Sequence, residues 1–396
     1  MNHKFPSNRP NVSRRKFIQG VTAASVSLGA GSALHGQVAL PADAPAIHAD
    51  SAPGVHTDDK TDKHMIVGEG DYQYQISHDH FQLPDKFHWQ VTHNVAVDSQ
   101  GRVYIIHEGR ANLKEHPSIF VFDAAGKYIK SFGQKYQGGG HGLEIKQEGS
   151  EEFIYVTTVV GDRVFAKLTL EGEELWERRA PMQALIDGKP IYPEGEDTKS
   201  ITEWGRRDNY KPTNIAFLDD GEFLVADGYG AYVIHRHDKE GNYVSTMGTM
   251  GRNDGQFMLP HGLWIDRRDP EQQKVVITDR SNNRLQWMTI EGEHLKTMGG
   301  FLLPANIDIQ GDLMLVPELQ ARITLMDAQD NIVACLGDDA EYRKRLLANK
   351  KQMRREPKTW QDGKFLHPHD ACFDAEGNII VAEWVQGGRV TKLTRV

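Results

Sequence analysis

Three histidines in this chain recur with a spacing that could bring them to one point. His141 in His141-Gly142-Leu143, His261 in His261-Gly262-Leu263 and His369 in His369-Asp370-Ala371 each open a copy of one short pattern. Three imidazoles meeting around an axis leave a fourth position open, which is the ligand set of a catalytic zinc site and also suits iron or manganese. Any one of them could simply hydrogen-bond a neighbouring segment; the recurrence of all three is what points to a metal. His93 opens a fourth copy and is a further candidate ligand, while Asn214 and Asn306 open the other two and are expected at equivalent positions.

The elements that must position these residues follow from the repeat. Each copy runs as a short β-rich segment, an acidic or polar turn with Gly, and a second apolar strand, as in HNVAVDSQGRVYIIHEG and NIAFLDDGEFLVADGYG; two further strands follow. Period-two alternation broken by Asp/Gly turns predicts four-stranded antiparallel sheets. One such sheet leaves both faces wet, whereas six packed radially cover one another. The fold class is therefore all-β, a six-bladed β-propeller of the NHL-repeat type, spanning residues 65–396. Blades two, four and six carry His141, His261 and His369, so the three imidazoles are related by a third of a turn. The last copy has only three strands, and Tyr72 to Ile76 is expected to complete it by pairing with Arg389 to Thr394, locking the ring at its non-covalent seam.

Two stretches interrupt the rhythm. Residues 175–211 read as a long loop over one face, and residues 339–360 as a short helix with a basic face, ending before Pro357. Upstream, Arg14-Arg15 precedes a mild Ala/Gly/Ser-rich run, and residues 1–36 hold basic but no acidic residues. That layout predicts a twin-arginine signal peptide over residues 1–36 and a flexible linker over 37–64. The twin-arginine export machinery is then a partner and the location periplasmic or otherwise exported, with no stable membrane insertion beyond the signal. The net charge of −9, without a large basic block, argues against nucleic acid. A monomer is expected. The two cysteines, Cys335 and Cys372, fall on strands too far apart to bridge.

From Gln90 to Leu393 the chain resembles the peptidylglycine α-hydroxyglycine amidating lyases. HGLEI, LPHGLWID with VITDRSNNRLQ, KPTNIAF with FLVADGYG, and HPHDACFDAEGNIIVAEW look like that family's blade starts in the right order. The resemblance implies zinc on His141, His261 and His369. It also implies calcium on the Asp370 carboxylate and the main-chain carbonyls of Leu143 and Val95. Tyr229 would be the general base and Arg280 a substrate-binding arginine. A second family arginine aligns with Glu108 here, with Arg110 two residues on as its candidate replacement. The activity implied is a carbon–nitrogen lyase cleaving an N-acyl-α-hydroxyglycine, from a small molecule or a peptide, to an amide and glyoxylate. Two other readings stand beside it: a non-catalytic propeller that binds a protein or glycan, and a lactonase-like metal-dependent hydrolase.

Overall fold

The computed structural model describes residues 65–396 except 111, 193–209 and 270–271; the expected signal and linker lie outside these residues. Antiparallel strands form six sheets in chain order, and their innermost strands are Thr92–Val97, Gly140–Glu148, Ile215–Phe217, Pro260–Asp266, Asp308–Gln310 and Pro368–Phe373. Middle strands such as Ile119–Phe122 and Phe223–Ala226 are buried and apolar at successive positions, so both sheet faces are apolar, and the faces meet in six buried clusters, one per interface between neighbouring blades. The six-bladed ring read from the repeat is the fold found.

The predicted closure is also found. Tyr74–Ser77 pairs antiparallel with the last strand, Arg389–Arg395, with Ile76 opposite Leu393. A further strand not foreseen, Ile66–Val67, adds outside it. Ile76 is fully buried against Leu315 and Leu325 of blade five, so the closing strand joins two blades rather than merely decorating one. Cys335 lies in the fourth strand of blade five and Cys372 in the innermost strand of blade six; both are free.

The two interruptions differ in kind. After blade two comes a minimal hairpin, Leu185–Ile186 with Lys189–Pro190. After blade five come helices Ala340–Ala348 and Lys350–Met353, then a 3₁₀ turn at Pro357–Thr359. Asp339 caps the first helix by accepting from the Tyr342 amide. Tyr342, Leu346 and Met353 seat the pair on Ala321, Leu366 and Val385. No helix among the described residues is long and apolar enough to cross a membrane.

The seam gives a direct test. Truncating Ile76→Ala should cost about 2–5 kcal/mol, as for other large-to-small changes in a packed core. The exposed Ile66→Ala should stay within about 0.5 kcal/mol. Denaturant unfolding of both variants measures the difference.

Candidate metal centre and active site

A β-bulge at the start of the innermost strand re-aims one side chain toward the axis in four blades. Register shifts span His93, His141, His261 and His369. From there His141 Nδ1 donates to the Thr213 carbonyl at 2.9 Å, His261 Nδ1 to Ala305 at 2.7 Å and His369 Nδ1 to His93 at 2.8 Å. Each bond runs to the next blade. Carbonyls only accept, so every Nδ1 holds the proton and every Nε2 presents a lone pair. Gly142 and Gly262 permit this approach: a Cβ on Gly142 would lie 2.5 Å from the Thr213 oxygen, and one on Gly262 2.3 Å from Asn306 Oδ1.

The carbonyl partners also correct the expected register. Leu143 faces Val156 across its ladder as Ile215 faces Val225, which makes Thr213, not Asn214, the counterpart of His141. Ala305 likewise stands where blade five would carry a histidine. Asn214 and Asn306 fall one residue on, level with Gly142 and Asp370. The short polar strand starts hid a one-residue slip that only the ladder resolves.

The imidazoles crowd together. His261 Nε2 lies 3.1 Å from His141 Nε2, and the His369 ring centroid is 4.7 Å from that of His261 and 5.0 Å from that of His141. Ligand atoms of His93, His141 and His369 lie within 4.8 Å of one another, so His93 joins the cluster rather than standing behind it. Its Nε2 also lies 3.3 Å from Glu108 Oε2. Burial holds His141, His261 and His369 far below the ordinary imidazole range, with neighbouring positive charges adding to the effect. All three are neutral. Two lone pairs facing at 3.1 Å repel unless a cation lies between them, and nitrogens on one tetrahedral zinc are separated by about 3.3 Å. Among the described residues, buried His369 Nε2 has no hydrogen-bond partner. These donors fit a divalent metal.

Tyr229 and Arg280 complete one side of the cluster. The Tyr229 hydroxyl lies 3.0 Å from His261 Nε2 and 3.0 Å from Arg280 Nη1, donating to the first and accepting from the second. Asp227, directly after the strand Phe223–Ala226, fixes this loop by accepting from the amides of Lys211 and Ala231 and from the Tyr192 hydroxyl. Burial pushes the Tyr229 phenol up, and Arg280 only partly offsets it. Arg280 alone therefore does not bring that pKa below its ordinary value. Arg110 is exposed, with its amide bound to Gln137, and makes no contact with Tyr229 or Arg280 among the described residues. Glu108 occupies the nearer place.

Further along the channel lies an acidic tier. Asp370 Oδ2 accepts from the Val95 amide at 2.8 Å, and Oδ1 accepts from Asn306, which in turn accepts from Asn214. Glu144 and Asp308 join Asp370 around a cavity of about 140 Å³ that Val95 also lines. Leu143, the other expected carbonyl ligand, is fully buried beside Glu144. Sequence reading named Asp370, Leu143 and Val95 but missed Glu144 and Asp308. The available signal was an acid at an inward-facing position of an innermost strand.

No protein-family model matches the chain. Peptidyl-alpha-hydroxyglycine alpha-amidating lyase 1 of Drosophila melanogaster is 25% identical over 291 residues, 69% of this chain and 48% of that protein. A probable peptidyl-alpha-hydroxyglycine alpha-amidating lyase of Caenorhabditis elegans is 26% identical over 171 residues, 43% of this chain and 42% of that protein. The resemblance to amidating lyases holds. The chain spans less than half the length of these curated relatives. A gluconolactonase structure from Xanthomonas campestris aligns with a TM-score of 0.51 over 82% of this chain and 90% of that one; at 10% identity it shows the shared propeller fold alone.

Burial, before any other cause, pushes Asp370 up to about 7 and Asp308 up to about 6. Both pKa values are raised on folding, so their contribution to stability is complete below the unfolded pKa near 4 and disappears as pH rises through 6 to 7. Metal-free protein should therefore melt at progressively lower temperature between about pH 4 and pH 7. Calcium should reverse the loss at pH 7, which melting curves with and without chelator would register.

Proposed function

We propose that the protein is a metal-dependent carbon–nitrogen lyase that cleaves an N-acyl-α-hydroxyglycine or a close analogue to an amide and glyoxylate. The observation carrying this reading is the Tyr229 hydroxyl, held at 3.0 Å from both His261 Nε2 and Arg280 Nη1 at the edge of the imidazole cluster. Zinc is the proposed ion, held by His141, His261 and His369, with His93 as a further donor. Calcium is proposed for the acidic tier at Asp370, with the Leu143 and Val95 carbonyls. Export by the twin-arginine route is the proposed setting.

When bound, the zinc ion would polarise the substrate hydroxyl and make its proton easier to remove. Tyr229, as phenolate beside the Arg280 guanidinium, takes that proton. The freed oxygen electron pair forms the aldehyde C=O while the C–N bond breaks. Its electrons stay on the amide nitrogen, which receives the proton from Tyr229. Arg280 offers its remaining donor to the substrate carboxylate. Atoms and charge balance without any oxidant, and the site needs no water as reactant. That requirement separates the proposal from a hydrolase.

Two measurements test it. Elemental analysis should find about one zinc per chain, lost in His141→Ala. Glyoxylate release from N-benzoyl-α-hydroxyglycine should fall by about 10²-fold or more in kcat for Tyr229→Phe. Release that is unchanged in Tyr229→Phe would remove Tyr229 from the chemistry.

A further inference from the structure

The helical insertion after blade five carries basic residues of two kinds. Lys344, Arg345, Lys351 and Arg355 are exposed, as a solvated face would be, whereas Lys350 and Arg354 are partly buried on the other side. The insertion is fixed in place by its apolar seat and by the Trp360 indole, which donates to the Met353 carbonyl at 2.6 Å. Its two inner cations are therefore delivered to a defined position.

That position is the rim of the site. Trp384 directly follows the second strand of blade six, Ile379–Glu383, just as Arg280 follows Lys274–Asp279 in blade four and Glu108 follows Val103–His107 in blade one. The Arg354 guanidinium stacks 3.2 Å from the Trp384 ring centroid, and its Nε donates to the Trp384 carbonyl at 3.1 Å. Lys350 Nζ lies 5.7 Å from the same ring centroid. The Trp384 amide in turn donates to the carbonyl of His367, two residues before the cluster histidine His369.

The donors of these cations are unspent. Among the described residues neither the terminal guanidinium nitrogens of Arg354 nor Lys350 Nζ has a hydrogen-bond or ion-pair partner, and Arg280 Nη2 is buried without one. Burial lowers Lys350, and the nearby positive charges of Arg354 and Arg280 lower it further. Burial likewise lowers Arg354 to about 10, with Glu108 opposing. Among the described residues Glu108 is the one acid that opposes them, and His93 Nε2 lies 3.3 Å from its Oε2. Three desolvated cations beside a single carboxylate leave net positive charge, in a chain whose overall charge is −9. Such an arrangement is costly unless an anion arrives to use the donors.

We propose that Lys350 and Arg354, supplied by the blade-five insertion, form with Arg280 a carboxylate-binding wall that holds the anionic end of the substrate. This rests on the lyase reading for the identity of the substrate, but the wall itself is a binding site for a small carboxylate. The aromatic face of Trp384 orients the Arg354 fork, and Lys350 contributes a mobile point charge, so the two have separable roles. Residues of the insertion thereby set specificity for acids over neutral analogues.

The test uses zinc-loaded protein and two ligands that are not turned over: N-benzoylglycine and its neutral counterpart N-benzoylglycinamide, titrated calorimetrically. Lys350→Met and Arg354→Met should each weaken N-benzoylglycine binding by roughly tenfold or more, as for loss of a charged hydrogen bond. N-benzoylglycinamide binding should be unchanged, and Lys350→Arg should restore the acid preference. With N-benzoyl-α-hydroxyglycine the same variants should raise KM far more than they lower kcat. Equal affinity for the acid in wild type and both Met variants, with melting temperatures preserved, overturns the proposal. If wild type prefers the acid, both Met variants lose that preference and no glyoxylate is released, the lyase reading fails and the wall stands. If glyoxylate is released with KM untouched in both variants, the wall fails and the lyase reading stands.

Discussion

The interaction on which the site depends is the bond from a histidine Nδ1–H to a carbonyl of the next blade. It occurs three times, from blade two to three, four to five and six to one. Each bond clamps one blade boundary at the axis, where the sheets are closest and have least side-chain area to share. The same bond fixes the tautomer and turns Nε2 inward. Ring closure and ligand geometry are thus one constraint, and a residue at Gly142 or Gly262 large enough to disturb the boundary would also misplace the imidazole.

Two layers of unsatisfied chemistry follow along the channel. His141, His261 and His369 are neutral and turn lone pairs toward one another; the acidic layer gathers Glu144, Asp308 and Asp370 around a cavity with no basic side chain among its described lining residues. Protons can relieve the second layer, which is why its carboxyl groups titrate high. They relieve the first poorly, because the charged imidazolium is disfavoured by burial. A divalent cation suits both layers, and the amide groups of Asn214 and Asn306 link the acidic one around the ring.

Much of this was legible in the sequence because the repeat is strong where the backbone is regular. The six copies, a closing strand read at Tyr72 to Ile76 and found at Tyr74–Ser77, and the meeting of His141, His261 and His369 follow from alternation and symmetry alone. What was lost has local causes. Asn214 and Asn306 were displaced by one residue because a bulge adds a residue to four innermost strands and cannot be counted from polarity. Glu144 and Asp308 were overlooked because a single inward acid in an apolar strand carries no motif. The packing of Lys350 and Arg354 against Trp384 was invisible because a basic helix looks the same from sequence whether its cations face water or a neighbouring blade.

Tyr229 shows how these parts depend on one another. Its phenol is buried, near the Glu108 carboxylate, and held by one guanidinium; burial wins, and the proton stays on. A phenol in that state donates to His261 Nε2, the same lone pair that a metal would claim. Ligation of His261 therefore removes the acceptor of the Tyr229 proton and places positive charge beside the phenolic oxygen, two effects acting in the same direction on its pKa. In the proposed lyase, metal binding would thus also ready Tyr229 as the base. Through this single hydrogen bond, occupancy of the proposed centre and ionisation of Tyr229 would be coupled.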